Sequence, residues 1–126
     1  MKYTFLMAVL ILFFIGCQKS TQENFGKPTE TAPNQIVEKG KELFFEEGMC
    51  HNCHKNDQKI IGPSVLEIMK IYQEKNASVV SFLQGDMQPI VAPEQYEIMK
   101  ANLVITKKMS LNDLEALEAY MLSVVH

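Results

Sequence analysis

The sequence predicts an all-α domain of about four to five short helices, and three observations predict it. From Gln35 onward, apolar residues recur at three- and four-residue spacing, the signature of helices that bury one face. No segment there alternates apolar and polar residues as a half-buried strand would. Asn34, Ser64, Ser78 and Ser110, residues whose short side chains accept a hydrogen bond from a helix start, stand before the periodic runs.

Asn34 is read as the N-cap of a first helix carrying Ile36, Val37, Gly40, Leu43, Phe44 and Glu47, with Gly48 as its stop. A second helix opens at Pro63 or Ser64 and presents Val65, Leu66, Ile68, Met69 and Tyr72. Ser78 caps a third, with Val79, Val80, Phe82 and Leu83 as apolar positions and Gly85 as its end. Pro93 suits the first turn of a short fourth helix reaching about Met99. The last begins at Ser110, where Asp113 makes a variant of the capping box, and carries Leu114, Leu117, Tyr120, Met121 and Val124.

Before Gln35 the chain changes character. Lys2 precedes an uncharged apolar run from Phe5 to Ile15, too short for a bilayer-spanning helix of about 20 residues, and residues 1–16 read as a secretory signal. Phe14-Ile15-Gly16-Cys17 resembles a bacterial lipobox, with Phe14 where Leu is usual. Cys17 is then expected to be acylated as the first mature residue. Residues 17–34 are polar apart from Phe25 and read as a flexible tether with a reach of roughly 20 to 25 Å. Residues 35–126 form the remaining domain.

The chemistry lies in Cys50-His51-Asn52-Cys53-His54. Two thiols three apart, followed by an imidazole, suit a haem held at three points: a thioether from Cys50, another from Cys53, and His54 on the iron. A zinc site needs a second ligand pair, and beyond Cys17 and His126 the chain offers no remaining cysteine or outlying histidine. A thioredoxin-like pair belongs between a strand and a helix, and no strand pattern is present. Haem attachment to this motif takes place outside the bacterial cytoplasm, which agrees with the signal. The expected fold is therefore helices around one covalently bound haem c, whose apolar bulk supplies the centre that a small domain lacks.

These residues resemble the class I cytochromes c, in particular the small bacterial monohaem ones. Gly40-Lys41-Glu42-Leu43-Phe44 is similar to the family's N-terminal helix, and Leu117-Glu118-Ala119-Tyr120-Met121 to its C-terminal helix. The resemblance implies a close crossing of the two at the glycine, with Phe44 and Tyr120 packed there. Ile61-Gly62-Pro63 resembles the segment whose proline carbonyl orients the haem histidine, which gives Pro63 that role toward His54. It further implies a distal methionine before the last helix. Met99, 21 positions before Tyr120, lies nearer the family's usual spacing than Met109, 11 before, or Met87, 33 before. Met99 is the first choice and Met109 and Met87 remain alternatives, since the usual Met-Pro dipeptide is absent. Met69 and Met121 fit core stripes.

The function implied is one-electron transfer, without enzymatic activity, between envelope proteins whose identities as donor and acceptor are not encoded here. The domain is expected outside the cytoplasm, held to a membrane by lipid at Cys17. Two other readings stay open: a haem-based sensor or ligand binder with a displaceable distal ligand, and a fixed electron-entry subunit of a larger complex. Twelve basic residues less Lys2, against 15 acidic ones, leave the mature chain at about −4. No Lys/Arg-rich block points to nucleic acid, and Lys107-Lys108 are the one basic pair near the expected distal ligand.

Overall fold

The computed structural model describes residues 32–126. The signal over 1–16, the acylation expected at Cys17 and the tether up to residue 31 lie outside the described residues. Within them the chain forms five α-helices: α1 (Ala32–Phe45), α2 (Val65–Glu74), α3 (Val79–Gln84), α4 (Tyr96–Thr106) and α5 (Leu111–Ser123). Short 3₁₀ turns, Cys50–Asn52 and Pro93–Gln95, precede the long loop and α4 respectively. The all-α expectation holds, and none of the described helices is long and apolar enough to cross a membrane.

Helix α1 starts earlier than expected. Ala32–Asn34, read as the end of the tether, are helical, and Asn34 lies within the first turn instead of capping it. Pro33 accounts for this: its fixed φ suits a first turn, where a missing N–H breaks no bond. Val37, Leu43 and Phe44 of α1 pack into the core, whereas Ile36 is exposed. The helix stops where expected, but by another device. The Gly48 N–H donates to Leu43 O at 2.8 Å, and the left-handed residue is Met49 (φ 48°), one position later. Gly48 is needed for space, because a Cβ there would stand 2.8 Å from Leu43 O and 3.0 Å from Cys50 Sγ.

Helices α2 and α3 begin as their caps predict. Ser64 Oγ accepts from the Glu67 N–H at 3.1 Å, and Ser78 Oγ accepts from the Ser81 N–H at 3.2 Å. The Val65 and Leu66 N–H groups donate to Lys55 O and Asn56 O, both at 2.9 Å. That pairing satisfies donors a helix start otherwise leaves open and ties α2 to the segment after the cysteine motif. Helix α3 ends at Gly85 in the left-handed region, φ 83°. Helix α4 departs from expectation: it continues past Met99 to Thr106, since neither glycine nor proline interrupts residues 96–106. Met99 therefore sits on a helix and not in a loop. At α5, Ser110 and Asp113 make the full reciprocal capping box. Lys39 on α1 pairs with Asp113, and this contact, with Ser110 second, holds the Asp113 carboxyl below its ordinary value. The stability it lends is present at neutral pH and fades as pH falls through that lowered value.

The frame is the crossing of α1 and α5. Gly40 lies so close to α5 that a Cβ would overlap the Ala116 carbonyl oxygen and come within 2.9 Å of Tyr120 Cβ. Phe44, 2% exposed, packs its ring 5.2 Å from that of Tyr120. Helix α3 joins this pair through the Val79 N–H, which donates to Glu118 Oε1 at 3.2 Å. Helix α4 is held to α3 at its far end, where the wholly buried Thr106 hydroxyl donates to Leu83 O at 2.7 Å.

Gly40→Ala tests the crossing. Alanine at an ordinary helix position favours the helix by about 1 kcal/mol over glycine. Here the methyl group must push α1 from α5, and we expect a net loss of about 2 kcal/mol or more in denaturant unfolding. A stabilised Gly40→Ala protein would contradict the packing described.

Candidate haem-binding site

A cleft of about 430 Å³ opens between the segment after α1, the loop before α2, and α4. Its size falls within the usual range for small-molecule and cofactor sites. Phe44, Leu117 and Met121 close it from the terminal-helix side, Val65, Ile68 and Tyr72 from α2, and Phe82 and Leu83 from α3. Burial pushes the Tyr72 hydroxyl up to about 12, so it stays neutral at any physiological pH.

One wall carries the motif. Cys50, Cys53 and His54 all line the cleft. Neither cysteine is paired in a disulfide, so both sulfurs are available for thioether bonds. The 3₁₀ turn over Cys50–Asn52 brings the thiols and the imidazole to one surface: the Cys53 and His54 N–H groups donate to Cys50 O at 3.1 and 2.9 Å. The chain then doubles back, with His54 and Lys59 bridged, and the Gly62 N–H donates to Cys53 O at 2.9 Å.

This return sets the histidine. His54 Nδ1 lies 2.8 Å from Pro63 O. A carbonyl only accepts, so Nδ1 carries the proton and Nε2 is left as the nitrogen that a metal takes. Gly62 lets the loop press on the ring, for a Cβ there would stand 2.6 Å from His54 Cε1 and 2.9 Å from Nδ1. His51 is not part of the lining. Its ring stacks on Phe45 at 5.2 Å, and its Nδ1 is buried without a partner.

The α4 wall holds Ile98, Met99, Ala101, Asn102 and Ile105. Of the three methionines weighed as distal ligand, Met99 lines the cleft. Met109 is 9% exposed within the core cluster, and Met87 packs against that cluster; neither is part of the lining. An apolar slot with two thiols and an oriented imidazole on one wall and a thioether on another has a donor set that could hold a haem.

Residues 37–124, more than two-thirds of the chain, match the family described as Cytochrome c. The chain belongs to the cytochrome c family. No curated protein matches it. Membership of this family makes the cofactor covalently bound haem c and the general role that of a haem-binding electron carrier. Cys50, Cys53 and His54 supply the attachment motif of a cytochrome c within the matched residues.

Sequence reasoning placed Cys50, Cys53, His54, Pro63 and Met99, and the fold brings all five to one cleft. It missed Asn102, whose Nδ2 donates to Gly48 O at 3.1 Å across the cleft. No neighbouring residue signals this bond, because its acceptor lies 54 positions away in the chain. Met121 and Tyr72, read as core, also line the site. Ile61 and Ile98, 56% and 64% exposed, form part of its rim.

Thioether bonds at both cysteines make haem inseparable from the polypeptide. The purified protein should retain its haem through denaturation and acid-organic extraction, and Cys50→Ala combined with Cys53→Ala should release it. Free extraction of haem from the parent protein would refute covalent attachment.

Proposed function

We propose that this protein is a lipid-anchored monohaem cytochrome c that passes single electrons between redox proteins of the bacterial cell envelope. The observation that carries the reading is the convergence of Cys50, Cys53, His54 and Met99 on one apolar cleft, with His54 already oriented by Pro63. Cys50 and Cys53 would hold the porphyrin by thioether bonds, and His54 Nε2 and Met99 sulfur would be the groups that bind its iron. When bound, the haem supplies a single reversible electron at iron. The residues around it hold that iron at two fixed points and shield it with apolar side chains, and thioether ligation favours the reduced state. Were His54 and Met99 both to ligate the iron, no coordination site would be left for substrate, as suits a carrier better than an enzyme or gas sensor.

Anchoring is supported by the sequence alone. The apolar run, the lipobox-like Phe14-Ile15-Gly16-Cys17 and the polar stretch that follows compose a signal, a lipid attachment point and a tether. A tether of roughly 20 Å lets the haem domain meet partners near a membrane without being fixed to either.

Two measurements check these assignments. Oxidised low-spin haem with a sulfur ligand has a weak far-red charge-transfer band. The band should vanish in Met99→Ala, with a fall in midpoint potential and new binding of carbon monoxide, and it should persist in Met87→Ala and Met109→Ala. Carbon monoxide binding by the reduced parent protein would favour the sensor reading instead. Cys17→Ser should move the protein from the membrane to the soluble fraction or leave it as precursor; an intact mass with unmodified Cys17 inside a retained signal would remove the anchor and leave the cytochrome reading intact.

A further inference from the structure

Helix α4 carries Met99 but is unevenly attached. Its C-terminal half is anchored: Leu103 is buried in the core, and the Thr106 hydroxyl donates to Leu83 O of α3. Toward the cysteine motif, one side-chain hydrogen bond among the described residues joins α4 to the attachment segment: Asn102 Nδ2 to Gly48 O, 3.1 Å, between residues 54 positions apart. We infer that Asn102 is a positioning residue, a clamp that holds α4, and with it Met99, at ligating distance from the haem-attachment segment. This rests on the reading of Met99 as distal ligand.

Three observations carry it. First, Asn102 lies three residues after Met99, a spacing that puts two side chains on one helix face, and both line the cleft. Second, the acceptor is well placed to fix the attachment wall. Gly48 is held by its own N–H on Leu43 O at 2.8 Å, and Met49 and Cys50 follow directly. The carbonyl can only accept, so the amide nitrogen must face it, which fixes the side chain in one orientation. Third, asparagine is a poor residue for this position on other grounds. It is less favourable in a helix interior than alanine by about half a kcal/mol, and the half-buried Asn102 lies beside the buried Leu103. Helix propensity argues against an amide there, whereas the bond to Gly48 O accounts for it.

The consequence concerns the balance between bound and detached Met99. If α4 pivots about its Thr106 end, the Asn102 bond breaks together with the iron–sulfur bond, so the clamp adds to the bound state alone. Loss of one partly buried hydrogen bond shifts that balance about fivefold, the equivalent of about 1 kcal/mol. An added ligand that competes with Met99 reads the shift directly.

The test is an imidazole titration of the oxidised mature holoprotein, followed by loss of the far-red sulfur band. Asn102→Ala and Asn102→Leu should each bind imidazole about fivefold tighter than the parent, with covalent haem retained. Leucine keeps the volume without adding a charge and removes the donor, which separates the lost bond from lost volume. Lys100→Ala, an exposed change on the same helix, should titrate like the parent. If Met99→Ala abolishes the band but both Asn102 variants bind imidazole within twofold of the parent, the clamp is wrong and the ligand assignment stands. If the band survives in Met99→Ala, the ligand assignment fails and the clamp fails with it.

Discussion

The contact between Gly40 and the Ala116 carbonyl, backbone against backbone, is the one on which the rest of the structure depends. It brings Phe44 onto Tyr120 and fixes where α1 ends. From there the Gly48 N–H on Leu43 O sets the approach to Cys50. The same α5 reaches the other side of the motif, where the Tyr120 hydroxyl donates to Asn56 Oδ1 at 3.2 Å. Asn56 O in turn receives the Leu66 N–H of α2. The five-residue motif is thus suspended between two points that both refer to one helix crossing.

The two long walls of the cleft are built differently. The motif wall is dense with short-range bonds: Cys50 O accepts twice, Cys53 O accepts from the Gly62 N–H, and Pro63 O holds the imidazole. Redundant pairing of this kind holds the His54 ring in one orientation. The α4 wall is apolar around most of its circumference, with Leu103 buried and Ile98 and Val104 exposed, and polar bonds hold it at few points. The polar bonds that hold the cleft are thus concentrated on the motif wall, and α4 is held at fewer points.

What the sequence disclosed follows the same division. Ser64, Ser78, Gly85 and Ser110 act within three residues of themselves, and each cap formed where its side-chain chemistry placed it. The cysteine motif and Pro63 are likewise read from adjacent residues. The start of α1 was misplaced because Asn34 competes with Pro33 as a boundary signal, and the proline prevailed. Helix α4 was cut short because its weak amphipathicity gives little period to follow beyond Met99. Asn102 and Gly48 meet across 54 positions, and the left-handed turn falls on Met49, whose side chain carries no turn signal. Such features belong to the tertiary fold and leave no local trace.

Gly40 and Ala116 also stand 76 positions apart in the chain, near opposite ends of the described domain. Closing a loop of that length takes about 4 kcal/mol of chain entropy beyond a constant, and the bonds that reward it form only after closure. Helices α2 and α3 carry their own caps and are sequence-local, so they are suited to form early, with the meeting of the two ends as the late and slow event. An apolar centre joined to the chain at Cys50 and Cys53, well inside that loop, gives both ends a common surface to find. Attachment before folding would therefore act on the rate at which the domain closes as well as on its final stability.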